Sequence, residues 1–247
     1  MYSHHKLDHE FQEGTEAVVR YAVCAMPRSG SSLLCELLFS TGQAGAPAEY
    51  FDHALMKQFR LRWNAGSFDE YLRALLARKT GPNGVFGFKA HFFQLDQAFP
   101  GTTLQAAFPG LRYVYITRAD RLRQAISWAR ALQTDKWAFD HEVRVPRSEV
   151  FRRNEIDRLI AGIAERERRW EKLFAESGIE LLRLTYERLV AAPEETVAAA
   201  LGHVGIADAG SYPAGAPTLR RQADELTEHW VRRYRDGTAQ AVAPGVA

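Results

Sequence analysis

The chain has 247 residues, of which 46% are hydrophobic and 25% charged, with a formal net charge of +2. That is enough apolar material for a substantial core and an ordinary balance of charge for a soluble protein. It excludes the broad basic surface of a nucleic-acid or membrane-surface binder, so any cationic site must be local.

Residues 1–16 read as a flexible leader. They are polar, lack the apolar stretch of a signal peptide, and hold His4, His5 and His9 in a context that fits a loose tail better than a metal site. A single domain is expected over 17–247. Val18–Ala25 is rich in β-branched and apolar residues and predicts a strand that breaks at Met26-Pro27. The small polar loop Arg28-Ser29-Gly30-Ser31-Ser32 then leads into a helical run, Leu33–Phe39, which Gly42 can stop in a left-handed conformation. Strand, polar loop with one cation and helix N-terminus form an anion-capturing arrangement, because the loop and first-turn amides lack internal partners. Cys24 and Cys35 fall in this strand and helix without metal-ligand spacing. They read as buried reduced thiols, which suits a cytoplasmic protein.

After the turn-rich Gly45–Phe51 (GAPAEYF), apolar spacing predicts two helices, Leu55–Trp63 and Phe68–Lys79, the second opened by a Ser67/Glu70 capping box. They form a helical insert over about 52–80. Gly81-Pro82-Asn83-Gly84 is a break that launches a short strand, Val85–Lys89, followed by Ala90-His91 and a mixed connection. Leu111–Thr117 is the clearest internal strand and ends at Arg118, and Asp120 is placed to cap a helix reaching about Gln133. A charged helix is expected between Glu149 and Glu176, with Ile156, Leu159, Ile160, Ile163, Trp170 and Leu173 turned inward and Gly178 as its stop. Ile179–Leu184 is another strand, and Pro193 starts a helix over Glu194–Val204. A Gly/Ala/Pro connection over 205–217 precedes the basic closing segment Arg220–Arg235. Strands alternating with helices indicate an α/β fold, a mostly parallel central sheet flanked by helices. No stretch approaches the roughly 20 apolar residues that span a bilayer.

The loop Pro27–Ser32 departs from several phosphate-binding patterns. A triphosphatase loop needs Gly-Lys-Ser/Thr, but here the cation, Arg28, precedes the glycine. Such enzymes also hold magnesium with an acid after a later strand, where this chain has Arg118. The cysteine-phosphatase pattern fails because Gly30 stands where its arginine would be, and no GxGxxG occurs.

The loop reading PRSGSSLL after the first strand instead resembles the 5′-phosphosulfate loop of sulfotransferases. Arg118, with Ser127 on the helix that follows, resembles their 3′-phosphate site. RSGSSLLCE, GAPAEYF, GPNGVFGFK, TRADRLRQAISWARALQT and RRQADELTEHWVRRYR, taken together and in order, are similar to the bacterial trehalose 2-sulfotransferase family. The resemblance spans about residues 18–235. It implies a P-loop-like sulfotransferase fold, 3′-phosphoadenosine-5′-phosphosulfate (PAPS) as donor, a sugar as acceptor, no metal, and a homodimer.

The resemblance makes Glu36 the general base. It lies one helical turn after Ser32, on the same face and among apolar neighbours. The plainer alternative is a surface charge on an amphipathic helix. Lys89, ending the second strand, is expected to meet the transferring sulfonate, although a strand-end lysine is common. Pro27, Arg28, Ser29, Gly30, Ser31 and Ser32 are expected to bind the 5′ end of the donor, and Arg118 and Ser127 its 3′-phosphate. Arg221, Gln222 and Ala223 belong to a segment over about 219–236 expected to cover the cofactor. Arg123 and Arg130 read as solvated. Glu49, Tyr50 and Phe51, with His91 and Trp137, are assigned to the acceptor pocket beside Glu36, a packed aromatic pair being the alternative for Tyr50 and Phe51. Trehalose is the leading acceptor. The short helical insert lies in the region that shapes the acceptor site, so another glycan or a lipid-linked sugar stays open. A small-molecule kinase and a non-catalytic binding module are the rival classes. The first conflicts with the missing Gly-Lys-Ser/Thr, the second with an intact Arg28 and Glu36.

Overall fold

The computed structural model describes residues 7–135, 137, 149–206 and 225–242. The chain divides into two compact units, the larger drawn from Ser3–Ala119 and Arg168–Thr218, the smaller chiefly from Asp120–Glu167 and Leu219–Ala247.

The larger unit is built on four strands, β1 (Val19–Ala25), β2 (Val85–His91), β3 (Arg112–Thr117) and β4 (Leu181–Thr185), in the order β2-β1-β3-β4. All three pairings are parallel. Register places Ala25 beside both His91 and Ile116, and Thr117 beside Thr185, so the C-terminal ends of the strands share one edge. Ligands of open parallel sheets bind at such an edge.

Alternation along the strands sorts the core into two layers. Ala22 and Cys24 of β1, Phe86 and Phe88 of β2, and Tyr113 and Tyr115 of β3 face one layer. It is completed by residues of α2 (His53–Arg62), α3 (Phe68–Lys79), α4 (Phe92–Ala98) and the end of α7 (Arg153–Glu176), such as Phe59, Tyr71, Leu95, Trp170 and Phe174. Tyr21, Val23 and Ala25, with Val114 and Ile116, face the other layer. There they meet α1 (Ser31–Ser40) through Leu34, Leu37 and Leu38, and α9 (Pro193–His203) through Val197, Ala200 and Leu201. Lys89 shares the parity of Val85 and so points to the α1 side. Gly87 between them leaves room for Tyr21, whose ring carbon Cζ a Cβ at that position would approach to 2.3 Å. Both cysteines are buried, and neither is in a disulfide.

The remaining helices of the larger unit are short: α5 (Leu104–Ala107) and α8 (Tyr186–Ala191). The capping box of α3 is present, with Ser67 accepting from Glu70 N and the Glu70 side chain accepting from Ser67 N. Residues 7–13, assigned to a loose leader by sequence, are docked. The Lys79 ammonium, fully buried, donates to the Leu7 and His9 carbonyls at 2.7 and 2.5 Å. Glu10 joins Trp63 Nε1 to Arg78, and His9 packs edge-on against Phe11 and Phe39. A buried ammonium needs acceptors, and this segment supplies them. His4 and His5 lie outside the described residues.

The smaller unit packs α6 (Arg121–Thr134), the first part of α7 and α10 (Glu225–Val242) around Ala125, Ile126, Ala129, Ile156, Ile163, Trp230 and Val231. Asp120 caps α6 by accepting from Arg123 N. Among the described residues, no helix is long and apolar enough to cross a membrane, and no cluster of three or more His, Cys, Asp or Glu could hold a metal ion.

Candidate active site

The loop after β1 is shaped by two left-handed residues, Arg28 (φ 65°) and Gly30 (φ 91°). A left-handed arginine is uncommon and costs of order 1–3 kcal/mol. Ser29 N donates to the Met26 carbonyl at 3.2 Å and closes the turn, and the left-handed residues on either side of it are backbone of the kind that forms an anion nest. Gly30 is the N-cap of α1 and offers no side-chain cap, and the first-turn amides of a helix lack intrahelical acceptors. Ser29 is fully buried, and its Oγ has no hydrogen-bond partner among the described residues. A buried orphan hydroxyl inside an uncapped, cation-bearing loop fits a group with several oxygen acceptors. Among the other loop residues Pro27 and Ser31 are buried, Arg28 and Ser32 partly so, and Glu36 is buried on α1.

Beside this loop stands a polar network. Lys89 Nζ lies 2.8 Å from Ser32 Oγ and 2.5 Å from Glu49 Oε1. Glu49 Oε2 accepts from Gln94 Nε2 at 2.7 Å. Burial works to raise the Glu49 carboxyl. The Lys89 charge, the charge His91 carries in acid, and the hydrogen bonds from Lys89 and Gln94 outweigh it and hold the group at about 2. His91 is buried, and its Nδ1 lies 3.0 Å from the Ala25 carbonyl. A carbonyl only accepts, which puts the proton on Nδ1. Burial pushes the imidazole pKa down, against the pull of Glu49, so the ring is neutral at pH 7 and its Nε2, 3.7 Å from Glu49 Oε1, is an acceptor.

At the ends of β3 and β4, the Arg118 guanidinium sits 4.5 Å above the Tyr186 ring. The same ring closes on the loop: a Cβ on Gly30 would come within 2.6 Å of Tyr186 Cδ2. Glu187, next in sequence, accepts from the Ala119 amide at 3.1 Å and braces the turn after Arg118. Tyr186, Glu187 and Gln94 were not singled out by sequence. The run Thr185-Tyr186-Glu187 after an apolar strand was a usable signal for the first two, since Thr185 caps α8 through Arg188 N.

The structure brings Arg28, Ser29, Gly30, Ser32, Glu36, Lys89, His91 and Arg118 to the β1–β3 edge of one unit. Tyr50 and Phe51, assigned by sequence to the acceptor pocket, lie in the core instead. Tyr50 is fully buried, bonded through its hydroxyl to the Ala46 carbonyl, and Phe51 packs edge-on against Phe88 and Phe99. Their aromatic surface is spent on packing. Trp137 is 42% exposed, with its Nε1 donating to Asp135. Ser127 is partly buried on α6, in the smaller unit. Arg123 and Arg130, read as solvated, are paired: Arg123 with Asp120 and Glu228 at 2.6 and 2.7 Å, Arg130 with Glu149 and with Thr227 Oγ1. Helix α10 brings Glu228 and Thr227 to α6, which local sequence does not reveal. Arg221, Gln222 and Ala223 lie outside the described residues.

A cationic anion loop at a parallel sheet edge, a carboxylate one helical turn beyond it and an arginine where a metal-holding acid would stand are the features of a sulfotransferase. The chain belongs to the Stf0 sulphotransferase family, whose model matches residues 20–237. It is 32% identical to a trehalose 2-sulfotransferase of Mycobacterium tuberculosis, covering 90% of this chain and 96% of that one. It is 30% identical to a trehalose 2-sulfotransferase of Mycolicibacterium smegmatis, covering 87% and 94%. A solved sulfotransferase domain from the curacin biosynthetic pathway is a distant likeness, 16% identical with a TM-score of 0.46 over 75% of this chain and 73% of that one.

Proposed function

We propose that this sulfotransferase moves the sulfuryl group of PAPS to a sugar hydroxyl, with the 2-hydroxyl of trehalose as the leading acceptor. The observation that carries the donor assignment is the uncapped loop, in which the buried Ser29 hydroxyl has no partner among the described residues and Ser32 accepts from Lys89. The acceptor assignment rests on the two mycobacterial relatives, both named trehalose 2-sulfotransferases.

PAPS supplies the sulfuryl group and, through its phosphate, the leaving oxygen. The amides from Gly30 to Ser32 and the Ser29 hydroxyl bind the 5′ end, and Arg28 and Lys89 neutralise charge on the sulfonate and bridging oxygens. Arg118, held flat by Tyr186, takes the 3′-phosphate. Glu36 removes the proton of the sugar hydroxyl as its oxygen bonds to sulfur and the bond to the phosphate oxygen breaks, releasing adenosine 3′,5′-bisphosphate. The neutral His91 presents Nε2 as an acceptor to a sugar hydroxyl. No step in this reading calls for a metal. The family resemblance supports a homodimer, and two buried cysteines outside any disulfide fit a reducing compartment such as the cytoplasm. Transfer of labelled sulfate from PAPS to a panel of free and lipid-linked sugars tests the reading. Transfer to trehalose is expected, and transfer to another sugar alone would replace the acceptor.

A further inference from the structure

We propose that Glu49 and Gln94 are positioning residues for the reaction, a bracket that holds the Lys89 ammonium against Ser32 Oγ at the mouth of the loop. The inference rests on the sulfuryl-transfer reading above. It assigns Glu49 to the donor side of the site in place of the sugar contact expected from sequence.

The bracket is built from the backbone outward. Lys89 N donates to the Ala48 carbonyl at 2.8 Å, and Ala48 forms an isolated parallel bridge with Phe88, so the segment carrying Glu49 is pinned to β2. Gln94 cannot turn its amide end for end. Its Oε1 accepts from His91 N at 2.9 Å, which fixes Nε2 as the donor facing Glu49 Oε2. With Oε2 held there, Glu49 Oε1 is left to Lys89, 2.5 Å away. The Nδ1-protonated ring of His91 offers Glu49 no competing proton. The charged and titratable groups acting on Glu49 are therefore Lys89 and His91, and Asp52 acts in turn on His91.

A lysine on a four-carbon stem is a mobile charge, and its side chain here is only 4% exposed. Without a counterion, burial would favour its neutral form. Glu49 keeps it charged, and the two-sided hold from Glu49 and Ser32 fixes where that charge stands before the donor arrives. A charge already in place stabilises a developing anion better than one drawn in during the reaction. Glu49 acts through Lys89 and is not itself placed on the reacting atoms.

The test is the pH dependence of kcat in wild type, Glu49→Gln and Gln94→Ala, with the Lys89 resonance followed in parallel by NMR of lysine labelled at Cε in substrate-free protein. In Glu49→Gln the alkaline limb of kcat and the Lys89 titration should both move down by at least ~1 pH unit. In both variants kcat should fall by up to ~10²-fold, with a smaller change in the acceptor KM. If Glu49→Gln instead raises the acceptor KM and leaves the alkaline limb and the Lys89 resonance in place, Glu49 touches the sugar and the bracket is wrong. The NMR titration needs no turnover, so an unmoved Lys89 overturns the bracket even if wild type transfers sulfate to no sugar tested. A moved Lys89 in inactive protein would sustain the bracket and sink the acceptor reading alone.

Discussion

Lys89, at the end of β2, donates to Ser32 Oγ in the first turn of α1 across 2.8 Å, tying a strand end directly to the anion loop. Strand parity makes this contact: Lys89 faces the α1 layer, and its neighbours Phe88 and Ala90 face the aromatic one. Removing one preorganised donor from a site of developing charge costs roughly 10²–10³ in kcat. Lys89→Met should lose that much in steady-state sulfate transfer.

Gly30 combines a φ of 91° with a 2.6 Å approach to Tyr186 for any added Cβ. The left-handed backbone alone costs an alanine about 1–2 kcal/mol. Gly30→Ala should lower stability in urea by at least about that much and weaken binding of adenosine 3′,5′-bisphosphate. Adding Tyr186→Ala should relieve the clash but not the backbone strain, so the double variant recovers only part of the stability.

The Tyr186 ring under Arg118 supports a cation–π contact worth about 0.5–2 kcal/mol. Tyr186→Ala should weaken adenosine 3′,5′-bisphosphate binding by roughly two- to thirtyfold in calorimetry. Tyr186→Phe keeps the ring face and should bind nearly as wild type.

Lys79 tests the docking of residues 7–13. Burial pushes its ammonium down to about 8, against the opposing pull of Glu10. The folded pKa lies below the ordinary value of 10.5, so between about pH 8 and 10.5 the unfolded chain binds more protons. In that window this lysine's contribution to stability rises with pH. The stability of wild type minus that of Lys79→Met should therefore increase from pH 8 to pH 10.5 in chemical denaturation, with the buried tyrosines cancelling in the difference. Amides of residues 7–13 should also lose hydrogen-exchange protection in Lys79→Met.

The sheet, the loop and most helices were legible because their signals are local. The β-branched run of β1, the Ser67/Glu70 box, the Asp120 cap and Gly42, which adopts φ 69°, each act within a few residues. The short helices α4, α5 and α8 were missed because four to seven residues show no period. Gln94 escaped notice for a related reason. It caps His91 N from the third position of α4, but histidine is not a usual N-cap. Tyr50 and Phe51 show the opposite failure. An aromatic pair after a turn looks the same in sequence whether it stacks on a sugar or fills a core, and only the positions of Phe88, Phe99 and Phe108 decide it. The partners of Lys89 lie 40 and 57 residues upstream in sequence, at Glu49 and Ser32, so only the fold joins them.

The central claim is that Glu36, buried on α1 one turn beyond the donor loop, takes the acceptor proton. The most direct measurement is single-turnover transfer of labelled sulfate from PAPS to trehalose by wild type and Glu36→Gln, with adenosine 3′,5′-bisphosphate binding measured on both. The account predicts that Glu36→Gln binds the bisphosphate as wild type does and transfers sulfate ~10²–10⁴-fold more slowly. Full-rate transfer by Glu36→Gln would contradict it.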